Sequence, residues 1–194
     1  MRIRSLGLNL NGTKPLRNFL VNSGFETKVF YPYASLTLGQ YSEDINGIND
    51  YLNTLDENTF EALLDFPACL NFENEYARDP NTKFIYIQRD IDSWLDLMKY
   101  TQSTLSHNAT YLFEEAYCKR YIDTDKTKMQ DLTEEELRAI YAAHDAAVTS
   151  FFEGKPNYIK IMTDDPQISA KLRTFLSIVA EIDFDITAES KATI

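Results

Sequence analysis

A glycine-bearing loop near the N-terminus has the residue types of an anion-binding site. The range Gly7–Lys14, with the sequence GLNLNGTK, lies between a predicted strand and a predicted helix. Backbone N–H groups in such a loop point at an anion, and the helix dipole favours negative charge there. Unlike the G-x-x-x-x-G-K-[ST] pattern, Thr13 and Lys14 stand in reversed order and Pro15 provides no metal ligand. We therefore expect an anion site that works without Mg²⁺, and the alternative is a tight strand–helix turn with no ligand.

Arg89 lies at the end of an apolar segment. It comes directly after Lys83–Gln88, which is apolar at nearly every position and therefore predicts a buried parallel strand. Open α/β sheets place ligand-binding groups at the carboxyl ends of their strands, so Arg89 is a candidate for binding an anionic group. The alternative is a buried structural arginine paired with Asp90 or Asp92.

Strands and helices alternate along the chain that must position these residues. The predicted strands are Ile3–Leu8, Thr27–Tyr31, an apolar run Phe60–Phe66, Lys83–Gln88 and Tyr158–Met162. The predicted helices are Leu16–Asn22, 71–78, Ile91–Leu105, 109–122, Thr133–Glu153, which opens with a capping box, and a last one ending near Val179. This alternation predicts a three-layer α/β fold, with a mainly parallel sheet flanked by helices, built as one domain over residues 1–194.

Composition and charge exclude several classes of partner. The 194 residues include 30 Asp and Glu against 19 Lys and Arg, a formal net charge of −11. So acidic a surface repels nucleic acid and anionic membranes, and neither is expected as a partner. The chain shows no signal peptide and no run of roughly 20 apolar residues, so we expect a soluble, cytoplasmic protein. Cys69 and Cys118 are expected to be buried or incidental thiols of a reducing compartment, and no metal site is expected.

Two segments of the chain resemble the sulfotransferase family. The first predicted strand, the Gly12-Thr13 pair after it and the helix that follows are together similar to the family's 5′-phosphosulfate loop, P-[KR]-x-G-T-[TS]. The segment Asp79–Trp94, DPNTKFIYIQRDIDSW, is similar to the family's strand-and-helix element YPDAKFILxxRDPxxW. The likeness extends over most of the chain, nearest to compact sulfotransferase-like proteins of bacteria and lower eukaryotes. It implies a fold like that of the P-loop nucleoside triphosphate hydrolases and the sulfuryl donor 3′-phosphoadenosine 5′-phosphosulfate, used without a metal.

The resemblance implies a role for each candidate site residue. The residues that would hold the donor are Asn11, Gly12, Thr13 and Lys14 at the 5′-phosphosulfate, and Arg89 with Ser93 at the 3′-phosphate. Lys14 would also neutralise charge on the bridging oxygen as the sulfuryl group leaves. Asp65, in the Asp65–Ala68 turn, aligns with the catalytic histidine of the family's T-H-L-P turn and would accept a proton from the acceptor. The alternatives are a turn-capping Asp65 and a solvated Lys14.

Three features depart from the family's pattern. Leu10 stands where the loop usually has a cation, and Lys14 is the candidate replacement. Leu97 stands where a serine usually follows the arginine by eight residues, and Ser93, four after Arg89, is expected on the same side of the helix. The family's R-K-G-x-x-G segment near the C-terminus is absent.

The sequence therefore predicts a sulfotransferase that moves a sulfuryl group to a hydroxyl or amine of a small-molecule or glycan acceptor. One alternative is a catalytically degenerate sulfotransferase-like binding or assembly module, which Leu10 and Leu97 favour. The other is a P-loop phosphotransferase, which the absence of a hydroxyl residue after Lys14 disfavours. His107 is a further candidate near the expected acceptor pocket, whereas His144 is expected to be a packing or surface residue. Neither the acceptor nor the oligomeric state follows from any pattern.

Overall fold

The computed structural model describes residues 1–8, 10–29, 60–65, 68–104, 112–122, 124, 126 and 131–187. The chain divides into two compact units. The first contains Met1–Phe30, Asp56–Asp90 and Gly154–Ile194, and the second contains Tyr31–Leu55 and Ile91–Glu153. All the candidate site residues of the loop, together with Asp65 and Arg89, belong to the first unit. That residues 1–194 act as one domain stays a prediction.

The first unit is built on a parallel sheet. Its described strands are β1 (Ile3–Ser5), β2 (Thr27–Val29), β3 (Ala62–Leu64), β4 (Lys83–Gln88) and β5 (Tyr158–Met162). They lie in the order β2-β3-β1-β4-β5, and each neighbouring pair is parallel. The predicted α/β class and parallel sheet are therefore confirmed. β1 is shorter than predicted: the Leu6 N–H still donates to the Ile85 carbonyl of β4, and the chain then turns away to form the loop. Phe30, Tyr31, Phe66 and Pro67 lie outside the described residues.

The described helices follow the predicted order. They are α1 (Thr13–Asn22), α2 (Phe72–Arg78), α3 (Ile91–Thr104), α4 (Leu112–Tyr121), α5 (Glu134–Phe152) and α6 (Ile168–Leu176). α1 begins three residues before the predicted start at Leu16, because Gly12 adopts a left-handed conformation and serves as its N-cap. α6 ends before Val179, because Ser177 is also left-handed, with φ 57°. The earlier start of α1 places Thr13 and Lys14 in its first turn.

One face of the sheet is covered by α1 and α6. The buried apolar side chains that fill this layer include Leu16, Phe19 and Leu20 of α1, Ile85 and Ile87 of β4, and Ile168, Leu172 and Leu176 of α6. Burying a side chain of this size contributes about 1.5–3 kcal/mol, so the core fixes α1 against the sheet. The first turn of α1 is thereby held at the carboxyl edge of the strands.

The other face is covered by α2 through a buried ion pair. Arg4 of β1 and Glu75 of α2 are 2% and 3% exposed, and their Nε and Oε2 atoms are 2.5 Å apart. Arg78 donates a second hydrogen bond to the Glu75 carboxylate. Burial lowers the pKa of Arg4, and the Glu75 charge opposes this shift. Helices thus lie on both faces of the sheet within the first unit, as the predicted three-layer arrangement requires.

The second unit contains α3, α4 and α5. The Thr133 hydroxyl accepts from the Glu136 N–H at 3.2 Å, and the Glu136 carboxylate accepts from the Thr133 N–H, which confirms the capping box. Hydrogen bonds from Lys126 and from the Thr133 N–H lower the pKa of Glu136 to about 2. His144 was predicted to be a packing or surface residue; it is fully buried, with its Nδ1 2.8 Å from the Tyr121 hydroxyl, so the packing alternative is the one observed.

The structure tests the expectations about the cysteines and about membrane-spanning segments. Cys69 and Cys118 are buried cysteines outside any disulfide of the described residues, which agrees with the predicted burial. Across the described ranges, no helix is both long and apolar enough to cross a membrane. The cytoplasmic location stays a prediction.

Candidate functional site

The candidate residues follow three strands that are neighbours in the sheet. Asp65 follows β3, the range Gly7–Gly12 follows β1, and Arg89 follows β4. From β1 the chain continues to β2 on one side of the sheet, and from β4 it continues to β5 on the other. The carboxyl ends of β1 and β4 therefore border a topological switch point, where open α/β sheets bind their ligands.

The loop after β1 is a tight turn with unusual backbone angles. The Asn11 N–H donates to the Leu8 carbonyl at 3.1 Å, which closes a four-residue turn. Leu10, the third residue of that turn, has φ 67°, and Gly12 has φ 77°. A leucine in the left-handed region costs about 1–3 kcal/mol, and such strain concentrates at functional sites. Gly12, the N-cap of α1, provides no side-chain cap for the N–H groups that begin the helix.

Two glycines allow the loop to lie against β4. A Cβ atom on Gly7 would lie 2.9 Å from the Ile87 carbonyl oxygen and 3.0 Å from the Asn11 Cβ. A Cβ atom on Gly12 would lie 2.8 Å from Cγ2 of Ile87. Any larger residue at either position would push the loop away from the strand. Gly7 was not predicted as a site residue, although its place as the first glycine of the motif is the sequence signal for this close approach.

Asn11 is a buried amide inside this loop. The residue is 2% exposed, and among the residues that the structure describes neither its side-chain nitrogen nor its side-chain oxygen has a hydrogen-bond partner. A buried polar group without a partner costs about 1–3 kcal/mol, so such a group is normally satisfied by a ligand or water. The Nδ2 group of Asn11, next to the start of α1, is a donor of the kind that an anion accepts hydrogen bonds from.

The structure brings Arg89 to the loop. Its Nε atom donates to the Leu10 carbonyl at 3.1 Å, although the two residues are 79 positions apart in sequence. The guanidinium is partly buried at the carboxyl end of β4. Leu10 stands where the family's loop has a cation, and Arg89, which follows the neighbouring strand β4, therefore places a positive charge beside that position. Lys14, the replacement expected from the sequence, is partly buried in the first turn of α1.

Asp65 lies on the opposite side of the loop from Arg89. It follows β3, has φ 69° and is partly buried, and its carbonyl accepts from the Cys69 N–H at 3.3 Å. Aspartate tolerates the left-handed region better than most residues do. β3 and β4 flank β1, so these two strands are about 10 Å apart across the sheet. By the strand register, Asp65 is level with Tyr86, and Arg89 lies three residues further along. Asp65 and Arg89 thus border the loop from two sides.

The helical relation predicted for Ser93 does not hold. β4 ends at Gln88 and α3 begins at Ile91, so Arg89 precedes the helix and cannot share a helix face with Ser93. Ser93 is exposed in the first turn of α3, in the second unit, and its role at the 3′-phosphate stays a prediction. Asp92, an alternative partner for Arg89, pairs with Arg138. His107 lies outside the described residues.

Within the parts of the chain that the structure describes, no three His, Cys, Asp or Glu side chains are grouped to hold a metal ion. A family model described as a sulfotransferase domain matches residues 57–163, more than half of the 194 residues. The matched range contains Asp65, Arg89 and Ser93, whereas the loop Gly7–Gly12 lies before it. No match to the chain was found among curated proteins.

Proposed function

The chain belongs to the sulfotransferase family, and from this premise we propose that it transfers a sulfuryl group from 3′-phosphoadenosine 5′-phosphosulfate to a hydroxyl or amine of a small-molecule or glycan acceptor. The observation that carries the proposal is the buried Asn11 amide, which has no hydrogen-bond partner within the described part of the chain and directly precedes Gly12, the N-cap of α1 without a side-chain cap. Arg89 at the switch point adds positive charge to this otherwise neutral set of donors. An anion that accepts several hydrogen bonds is the ligand class that matches these groups.

Donor binding rests on the loop and the first turn of α1. The Asn11 amide and the N–H groups around Gly12 and Thr13 would hold the 5′-phosphosulfate, because they are donors fixed in place before a ligand arrives. Arg89 would bind the 3′-phosphate from the end of β4. Preformed donors of this kind lose little freedom on binding, which favours affinity.

Two charged residues would serve the transfer itself. The donor, when bound, supplies the sulfuryl group that the acceptor attacks. Lys14 would stabilise the charge that develops on the bridging oxygen, and removing one such donor typically costs about a hundredfold to a thousandfold in rate. Asp65 would accept the proton from the acceptor, a contribution of about a hundredfold to ten-thousandfold for a well-placed general base.

Turnover of the donor tests this proposal. The purified protein is incubated with the donor and a pool of alcohols, phenols, sugars and amines, and release of adenosine 3′,5′-bisphosphate is measured without metal. Asp65→Asn should lower kcat by about a hundredfold or more because it removes the base. Asp164→Asn is the matched control, because Asp164 is an exposed aspartate that follows β5 at the same edge of the sheet. Equal rates for the two variants would remove Asp65 from the mechanism.

The second candidate function is that of a binding or assembly module. Leu10 favours it, because this loop position has no cationic side chain. Such a module binds the nucleotide or a related anion but releases no bisphosphate from the donor with any acceptor pool. A phosphotransferase instead requires turnover of ATP with Mg²⁺, and Pro15, buried in the first turn of α1, has no hydroxyl to bind the metal.

A further inference from the structure

We propose that Arg89 is a positioning residue for the anion loop as well as a ligand group, so that it controls binding at the 5′ end of a nucleotide. The identity of the ligand rests on the proposed function. The effect on the loop does not, because the contact is made within the protein: Arg89 Nε donates to the Leu10 carbonyl at 3.1 Å.

The peptide unit between Leu10 and Asn11 is held at both ends. Its carbonyl accepts from Arg89, and its N–H donates to the Leu8 carbonyl at 3.1 Å. In a trans peptide the C=O and N–H groups point in opposite directions within one plane, so two bonds at opposite ends fix the orientation of that plane. The plane leads directly into Asn11, and its orientation therefore sets where the buried amide lies.

The loop needs such a restraint because its residue types do not favour its shape. The third position of a turn with positive φ is usually glycine or asparagine, and here it is leucine at φ 67°. Without an outside contact, the strain at Leu10 would favour rotation of the peptide to another conformation. Arg89 comes from the adjacent strand, and β4 is buried at most of its positions, so the restraint has a rigid base.

The positive charge of Arg89 also lies next to Leu10, the loop position at which the family pattern has a cationic side chain. Leu10 offers only its carbonyl, and the guanidinium that binds this carbonyl lies beside the donors that would hold the 5′ group. An arginine that served the 3′-phosphate alone would not affect a ligand that lacks that phosphate. An arginine that positions the loop affects every ligand with a 5′ anionic group.

Arg89→Lys and Arg89→Gln separate these roles. Lysine keeps the charge but lacks the Nε–H group and the planar fork of donors, so it does not reproduce the bond to Leu10. Hydrogen exchange of the ligand-free protein is measured at the backbone N–H of Asn11, which donates to the Leu8 carbonyl. Calorimetry then compares adenosine 5′-monophosphate with adenosine 3′,5′-bisphosphate. Arg17→Gln, an exposed arginine of α1, is the matched control for loss of charge close to the loop.

We expect hydrogen exchange at the backbone N–H of Asn11 to rise at least tenfold in both Arg89 variants, while the backbone N–H groups of β4 stay protected. We also expect both nucleotides to lose affinity in Arg89→Gln: tenfold or more for the monophosphate, which loses only the positioned loop, and more than that for the bisphosphate, which also loses the contact to its 3′-phosphate. Unchanged exchange at Asn11 overturns the proposal, and so does a loss confined to the bisphosphate. If the unaltered protein binds neither nucleotide, the proposed function fails, and the exchange result alone decides whether Arg89 positions the loop. Should Arg89→Gln fail to fold, Arg89→Lys carries the test.

Discussion

Replacing Asn11 by leucine should stabilise the protein and impair its function at the same time. The Asn11 side chain has one donor group and one acceptor group that are buried with no partner among the residues described. Each such group costs about 1–3 kcal/mol, and a leucine of similar size removes both. Imperfect packing of the new side chain costs up to about 1.5 kcal/mol, so we expect the free energy of unfolding to rise by at least about 0.5 kcal/mol.

Urea denaturation of the ligand-free variant measures this change, with a constant m-value as the sign that the unfolded state is unaltered. A rise in Tm of about 2–4 °C for each kcal/mol is expected for a chain of this length. Affinity for adenosine 3′,5′-bisphosphate should fall at least tenfold, because the amide no longer donates to the ligand.

Asn157→Leu is the matched control for this substitution. Asn157 is also buried, but its amide donates to the Pro80 carbonyl at 2.9 Å and to the Thr82 carbonyl at 2.7 Å. Its replacement should therefore lower the free energy of unfolding, by about 1–3 kcal/mol. If Asn11→Leu destabilises the protein as much as Asn157→Leu does, the Asn11 amide is satisfied without a ligand and the reasoning is refuted.

Three further predictions concern the scaffold. Gly12→Ala should lower the free energy of unfolding by at least about 1 kcal/mol more than Gly24→Ala does. Both glycines have positive φ, but of the two only Gly12 has a described neighbour that a new Cβ would meet. Equal losses in chemical denaturation would show that the loop moves freely away from β4. Glu75→Gln should lower the free energy of unfolding by about 3–5 kcal/mol, because Arg4 then remains buried without its counter-charge; a loss below about 1 kcal/mol would mean that water reaches Arg4. The pKa of Glu136 is lowered to about 2 in the folded protein, so its contribution to stability is present above its ordinary pKa and is lost as the pH falls towards about 2. An NMR titration of Glu136 with a midpoint near the ordinary value would contradict the capping-box bonds.

Much of the scaffold was predictable from the chain's periodicity. The apolar segment Lys83–Gln88 forms β4 with the predicted bounds, and the capping box marks the start of α5. Both depend on signals that lie close together in sequence. The start of α1 was predicted too late because helical spacing first appears at Leu16, whereas the left-handed Gly12 allows the helix to begin at Thr13.

The site was predictable in its residue types but not in its contacts. Arg89 was a candidate from its place after a strand, yet its bond to Leu10 depends on β4 lying next to β1, and strand order is a tertiary property. The positive φ of Leu10 was not predictable either, because leucine rarely adopts it. The expected face shared by Arg89 and Ser93 failed because the strand and helix are joined by two residues outside the helix.

The central claim is that the loop after β1 and Arg89 form a donor site that needs no metal. Calorimetric titration of the purified protein with adenosine 3′,5′-bisphosphate, in the presence of a chelator, tests it most directly, with ATP and Mg²⁺ as the comparison. We expect micromolar binding of the bisphosphate, about −8 kcal/mol, and much weaker binding of ATP with Mg²⁺. Absence of bisphosphate binding, or a preference for ATP with Mg²⁺, would contradict the claim.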